Sequence, residues 1–274
     1  MSLAGVTLVG VGKMGEAVLA GLVNSRGPVG ITVVNQRVER DEELQSRYGV
    51  TPGTLPSAVD DCGVVVVAVK PKDITHILDE ISGRLDPRTV VVSLAAGVPL
   101  SVMAAHLPAG QPVVRVMPNT PSLMGQGISA LSPGSTVTNE QLARVREVMG
   151  SCGRVVVVPE GQQDAVTAVS GSGPAYIFAV AEAMIEAGVQ MGLTRKVATQ
   201  LASQTILGAG TMLVASGEHP SILRENVTSP GGTTAQALKV LDQHAVRAAF
   251  SEAMLACAEK SAAMARAVVA AEGV

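Results

Sequence analysis

Aromatic residues are nearly absent: the 274-residue chain has no Trp, two Tyr and two Phe. That speaks against a single-stranded nucleic-acid binder, which stacks bases on aromatic platforms. Neither sign of charge dominates, since 20 Lys and Arg against 23 Asp and Glu leave a formal net charge of −3. There is no basic footprint for duplex DNA or an anionic membrane. Cysteine is scarce too. Cys62, Cys152 and Cys257 form an odd set with no close pair, so neither a disulfide framework nor a CxxC metal knuckle is legible. His76, His106, His219 and His244 lack metal-ligand spacing, and no metal is expected. No basic n-region or apolar leader precedes the first strand pattern after Met1-Ser2-Leu3-Ala4-Gly5, so a cytoplasmic location is expected. The stretch 197–217 has no charge, but Gln200, Ser203, Gln204, Thr205, Gly208 and Gly210 interrupt it. A membrane-spanning helix wants about 20 predominantly apolar residues. This one reads as a helix covered by protein, inside a domain or at a subunit interface. Neither nucleic acid nor membrane is expected as a partner.

What the chain does have is apolar bulk. Hydrophobic residues make up 47% and charged residues 16%, a composition that folds. The length suits two domains at roughly 100–200 residues each. Val-rich runs at 6–10, 31–35, 64–69, 89–94, 112–117 and 154–158 are continuous rather than alternating, as parallel strands buried on both faces require. Between them Ile74, Ile77, Leu78 and Ile81 make one helical stripe. This βαβα rhythm predicts an α/β fold with an N-terminal Rossmann-type doubly wound sheet over residues 1–160. After about Glu160 only helix patterns remain, at 174–191, 194–216, 234–245 and 246–271. On the first of these, Ile177, Val180, Ala181, Met184, Ile185 and Gly188 share a face. Residues 161–274 are therefore expected to be all-helical, packed through Ala, Gly, Leu and Met, and completed by another copy of the chain.

Gly10-Val11-Gly12-Lys13-Met14-Gly15 is a GxGxxG between the first strand and the first helix. The first glycine permits the tight turn, the second lets a pyrophosphate approach the backbone, and the third allows close helix–strand packing. The surrounding βα rhythm makes this a dinucleotide loop. At the end of the second strand stands Asn35-Gln36-Arg37, with no acid until Glu39. A carboxylate there would hold the ribose of NAD, whereas its absence beside an arginine suits a 2′-phosphate. NADPH is expected, with NADH as the alternative. Ala68-Val69-Lys70-Pro71 and Ala95-Ala96-Gly97 belong at the carboxyl ends of strands, where such folds bind ligands. Ordinary strand termination explains them equally well.

Ser229-Pro230-Gly231-Gly232-Thr233-Thr234 precedes a helix predicted to start near Ala235. Two glycines and two hydroxyls at a helix start make an anion site for a carboxylate or phosphate. The bland alternative is a plain N-cap, which Thr233 alone would satisfy. A helix terminus contributes only about 0.3–2 kcal/mol toward an anion, and millimolar binding needs about 4 kcal/mol. Direct N–H bonds from the glycine loop must supply the rest. Ser170-Gly171-Ser172-Gly173-Pro174 resembles a nucleophile elbow only superficially, because Ser172 has glycine on both sides. With no Ser-His-Asp set a hydrolase is disfavoured, and Ser172 is expected to cap the following helix.

These motifs, with Val116-Met117-Pro118-Asn119-Thr120-Pro121, His219-Pro220 and above all Asn226 through Thr234, resemble the pyrroline-5-carboxylate reductase family over nearly the full length. The resemblance implies reduction of L-1-pyrroline-5-carboxylate to L-proline by NAD(P)H, the last step of proline biosynthesis. It also implies a Rossmann domain, a helical dimerisation domain and often a decamer of five dimers. Carried over by position, Gly10, Val11, Gly12, Lys13, Met14, Gly15, Asn35, Gln36 and Arg37 hold the phosphates. Ala68, Val69, Lys70, Pro71, Ala95, Ala96 and Gly97 line the nicotinamide half, and Asn226 touches the cofactor. Ser229, Gly231, Gly232 and Thr233 bind the substrate carboxylate, while Thr234, the catalytic candidate, hydrogen-bonds the ring nitrogen. One departure stands out: many members carry an asparagine, near the adenosine, where this chain has Leu55. Two rivals remain at this point, a related imine or β-hydroxyacid reductase and a non-catalytic NADPH sensor.

Overall fold

In the computed structural model, which describes residues 5–273, the chain starts with β1 (Gly5–Val9), α1 (Lys13–Arg26), β2 (Ile31–Val34), α2 (Val38–Tyr48) and β3 (Thr51–Pro52). Next come β4 (Cys62–Val67), α3 (Ile74–Ser82), β5 (Val90–Ser93), α4 (Leu100–Ala105), β6 (Val113–Met117) and β7 (Gly127–Pro133). They are followed by α5 (Asn139–Gly150), β8 (Gly153–Val157), α6 (Gln163–Val166), α7 (Gly173–Gln190) and α8 (Arg195–Ser216). The chain finishes with α9 (Pro220–Asn226), α10 (Thr233–Gln243) and α11 (Val246–Glu272). By contacts it divides into two units: residues up to Ser172 with those from Ala256 onward, and Gly173–Leu255. The sequence pattern put one break at 160/161, because that is where strands stop. The first unit instead keeps the helical turns up to Ser172 and takes back the end of α11.

The first unit is built on an eight-stranded sheet in the order β3-β2-β1-β4-β5-β6-β7-β8. The first six follow the doubly wound order, with its reversal point between β1 and β4. Their Val-rich runs form because a strand covered by helices on both faces has no place for polar alternation. All six residues of β4 are buried. The α3 stripe behaves as predicted, with Ile74, Leu78 and Ile81 fully buried. Two strands escaped the sequence reading. β3 is only two residues long. β7 pairs antiparallel with β6 through Met117–Ala130 and Val116–Leu131, and its polar-interrupted sequence GISALSP carries no apolar run. Leu55 packs against the hydrophobic cluster that contains Val59, Val65 and Val91.

The Ser170–Ser172 segment also differs from expectation. Thr167–Gly171 is a π-helical turn, and Ser172 has αR backbone with its N–H bonded to the Thr167 carbonyl at 2.8 Å. It closes the π turn at its C-terminal end and precedes α7, which starts at Gly173. Its hydroxyl lies 3.2 Å from the Cys257 sulfur. A Cβ on Gly171 would stand 2.6 Å from the Met117 methyl, so that flexible side chain would have to shift to admit it.

In the second unit, α7 and α8 pack where Gly188 meets Ala198, whose Cβ is 3.1 Å from the position a Cβ on residue 188 would take. Tyr176 and Phe250 meet edge to face at 6.4 Å. Thr194 caps α8 by accepting from the Val197 N–H. Within this unit only Gly188, Ala198 and Ala202 are buried. Helix α8, uncharged after Lys196, is therefore not a core helix within its own unit. The helical run 160–190 is long and apolar enough to cross a bilayer by length and composition.

Candidate functional site

The sheet brings four predicted segments to one edge. The Gly10 N–H donates to the Val34 carbonyl at 2.8 Å, the Ala68 N–H to the Val9 carbonyl at 2.8 Å, and the Leu94 N–H to the Val67 carbonyl at 3.0 Å. The carboxyl ends of β2, β1, β4 and β5 thus lie side by side, and Asn35, Gly10, Ala68 and Ala95 follow from them. This is the crevice at the reversal point where doubly wound sheets take ligands.

Each glycine of the loop has its own physical reason. Gly10 has φ +77°, and a Cβ there would meet the Val69 side chain at 2.4 Å. Gly15 lies against the Ala68 Cβ, 3.2 Å from its own would-be Cβ. Gly12 is different: its φ of −81° is open to any residue, and no atom of the chain lies within 4 Å of a Cβ built on it. Nothing in the chain requires glycine at 12. A dinucleotide passing over that point would, so the residues present fit the cofactor. Gly12 is the N-cap of α1 and offers no side-chain cap, which leaves first-turn N–H groups for a phosphate. Lys13 is exposed and Met14 is half-buried against the core.

Gln36 and Arg37 are exposed, whereas Asn35 is half-buried and already engaged. Its Oδ1 accepts from the Val11 N–H at 2.7 Å, and its Nδ2 donates to Asp41 Oδ1 at 2.7 Å. The buried Asp41 and the neighbouring Arg40 escaped the sequence reading. So did Glu16, in the first turn of α1, which accepts from Arg40, Arg47 and Tyr48 at 2.5, 2.7 and 2.9 Å. Burial of the Glu16 carboxyl opposes ionisation, but the hydrogen bonds from Arg40 and Tyr48 and the nearby cations outweigh it and hold its pKa below the ordinary value. Glu16 directly following the third glycine was the available signal.

Ala95 and Gly97 are buried and Ala96 half-buried. Gly97 turns with φ +75° against the Met264 side chain. Just beyond, Glu160 Oε1 accepts from the Leu100 N–H at 2.7 Å and pairs with the buried Arg115 at 3.2 Å. Val69 and Pro71 are half-buried and Lys70 is exposed.

In the second unit the 229–234 loop runs directly into α10. Helix α10 starts at Thr233, earlier than the expected Ala235, so its N-cap is Gly232 and no side chain caps it. Thr233 is the first helical residue and cannot serve as the plain cap. Gly231 has φ +68° with open space around it, and a Cβ on Gly232 would stand 3.0 Å from Ser229 Oγ. The Gly232 N–H closes the turn onto the Ser229 carbonyl at 3.0 Å. The first-turn N–H groups, including those of Thr233 and Thr234, have no preceding helical turn to bond. Ser229, Gly231 and Thr233 are exposed and Thr234 half-buried; Asn226 closes α9 and is exposed. A shallow pocket of about 580 Å³, lined by Thr228, Ala235, Lys239 and Asp242, opens at the foot of the loop. Helix α7 carries Glu182 and Glu186 and no lysine. Among the described residues no cluster of His, Cys, Asp and Glu could hold a metal.

The family model for pyrroline-5-carboxylate reductase dimerisation matches residues 160–264. A pyrroline-5-carboxylate reductase of Corynebacterium melassecola is 46% identical over 261 residues, 93% of this chain and 97% of its own. The chain belongs to the pyrroline-5-carboxylate reductase family. The Coxiella burnetii member has a solved structure that superposes with a TM-score of 0.91 at 36% identity, covering 94% of this chain and 97% of that one. The Plasmodium falciparum member, solved with NADP bound, is 28% identical with a TM-score of 0.84 over 97% of this chain and 99% of that one. A second model, described as NADP oxidoreductase, coenzyme F420-dependent, matches residues 5–97. Family membership agrees with the sheet order and with a helical second half that self-associates.

Proposed function

We propose that the chain reduces L-1-pyrroline-5-carboxylate to L-proline with NAD(P)H, as an oxidoreductase acting on a CH–NH group at the last step of proline biosynthesis. The observation that carries this reading is the uncapped, glycine-opened start of α10 in a chain that also has the open Gly12 loop at its sheet edge. Bound NAD(P)H supplies the hydride that goes to the imine carbon. The loop 10–15 holds the pyrophosphate on first-turn N–H groups. Arg37, exposed and with no ion pair among the described residues, meets the 2′-phosphate and favours NADPH over NADH. Gln36 flanks it, and Asn35 supports the loop from behind. The segments 68–71 and 95–97 line the nicotinamide half, and Asn226 contacts the cofactor.

The substrate carboxylate sits on the N–H groups of Gly231, Gly232 and Thr233, with the Ser229 hydroxyl beside it. Thr234 hydrogen-bonds the ring nitrogen. A threonine hydroxyl is a poor acid in bulk water, so Thr234 orients and polarises the nitrogen while water supplies the proton or the imine arrives protonated. Alignment then accounts for much of the acceleration. A second copy covers the apolar faces of α7 and α8, and five such dimers form a decamer. That cover, and not lipid, suits the run 160–190, since Glu160 is paired with Arg115 and Asp164 accepts from Ser261 at 2.6 Å. Three free thiols fit a reducing cytoplasm.

The test is NADPH and NADH oxidation with pyrroline-5-carboxylate and, in parallel, with β-hydroxyacids. Turnover of the imine alone is expected, because α7 lacks the lysine on which a β-hydroxyacid reductase relies. Thr234→Ala should lower kcat/KM at least tenfold, about 1.4 kcal/mol, with NADPH affinity retained. NADPH binding without turnover of the imine would favour a sensor instead, and unchanged kinetics would remove Thr234 from the mechanism.

A further inference from the structure

Val11 stands between the first two loop glycines, and side chains from beyond β2 hold both of its backbone polar groups. Its N–H donates to Asn35 Oδ1 at 2.7 Å, and its carbonyl accepts from Arg40 Nε at 3.2 Å. Each holder is itself held. The Asn35 amide donates to Asp41 Oδ1 at 2.7 Å, and its backbone N–H donates to Asp41 Oδ2 at 3.3 Å. The Arg40 guanidinium donates to Glu16 at 2.5 Å and pairs with Glu43 at 2.8 Å. Glu16 grows from α1 itself, so the circuit runs from the glycine turn through α2 and back to the helix that the turn opens.

A glycine turn is costly to order because glycine has the most conformational freedom to lose. Ligand affinity gains when that ordering precedes binding. The two bonds to Val11 fix the peptide planes on both of its sides, and the plane after it leads into Gly12 and the first-turn N–H groups of α1. Arg40 is not free to be a phosphate ligand: Nε, Nη1 and Nη2 each already face an acceptor, and two carboxylates neutralise it. Withdrawing it would leave Glu16, whose side chain is 20% exposed, with only Arg47 and Tyr48 as partners.

We propose that Arg40 is a positioning residue that presets the dinucleotide loop for the pyrophosphate common to NADPH and NADH, leaving the choice between them to Arg37. This rests on the reading that the dinucleotide occupies the 10–15 loop. Dissociation constants for NADPH and NADH, measured by the cofactors' own fluorescence, and melting temperatures would be compared for Arg40→Ala, Arg40→Lys, Glu16→Gln, Arg37→Ala and Gly12→Val. Arg40→Ala should weaken both cofactors by the same factor, about tenfold, leaving their ratio unchanged. Arg40→Lys should recover little, because an ammonium keeps the charge but cannot reach three acceptors as a planar fork does. Arg37→Ala should weaken NADPH alone. If Arg40→Ala does not fold, Glu16→Gln, which loosens the same anchor without removing it, should weaken both cofactors equally and by less. Selective loss of NADPH in the Arg40 variants, full rescue by lysine, or no change in either cofactor would overturn the proposal. Unaltered binding by Gly12→Val would instead defeat the underlying placement of the cofactor.

Discussion

The two units of this chain bury themselves very differently. In the first, Leu8, Val33, Val65, Val66 and Val92 are wholly inaccessible, and the sheet closes over a core of its own. In the second, the buried residues are Gly188, Ala198 and Ala202, all small, while Phe178 is 66% exposed, Leu201 55% and Leu207 62%. A stretch of helices with so little interior does not balance the conformational entropy of ordering it. The first unit's fold is thus a property of one chain. The second unit's stability belongs to an assembly, as the family's dimerisation region implies.

The sharpest way to break that contrast is to charge the uncovered face. Phe178→Glu with Leu207→Glu should weaken self-association at least a hundredfold, about 2.7 kcal/mol, and lower helical content, read by sedimentation and circular dichroism. Val29→Glu, at a first-unit position 87% exposed, should leave assembly unchanged. A double variant that stays associated and helical would show the second unit to be self-sufficient.

Next in size is a cavity in the sheet core. Leu8→Ala should cost about 2–5 kcal/mol in urea unfolding, with a first-unit midpoint independent of protein concentration. Helical-unit unfolding should shift to higher urea as concentration rises. Equal concentration dependence in both would erase the distinction.

The smallest effect is one of pH. The Arg88 side chain and backbone N–H hold the Asp86 carboxyl at about 2, below its ordinary 3.8. Glu16 is also lowered, against burial, by its bonds from Arg40 and Tyr48. A carboxyl that binds its proton more weakly when folded adds stability above its unfolded pKa and loses it as pH falls through the folded value. First-unit stability should therefore decline from about pH 4 toward pH 2, and Asp86→Asn should flatten part of that decline. Urea midpoints across this window, unchanged in slope by the substitution, would remove Asp86 from the account.

Much of this was legible in the residues because the physics was local. Continuous valine runs report strands buried on both faces, and glycines at 10 and 15 answer to a turn and a packing contact visible in any βα unit. What was illegible depended on distant partners. β7 is held by β6 and β8, with no hydrophobic pattern of its own. Ser172 looks like the start of a helix because Gly-Pro follows it, but it closes the π turn before it, and its hydroxyl faces Cys257. Asn35 stands out in the sequence only for its place after β2; nothing in Asn-Gln-Arg reveals that its amide turns inward to Val11 and Asp41. Thr233 resembled a cap until the helix proved to begin on it.

The most direct test of the central claim follows the transferred hydride. Pyrroline-5-carboxylate incubated with this protein and NADPH deuterated at the reactive nicotinamide carbon should yield L-proline carrying one deuterium on the former imine carbon, detected by mass spectrometry. Unlabelled proline, or no proline beside intact bound NADPH, would contradict the account.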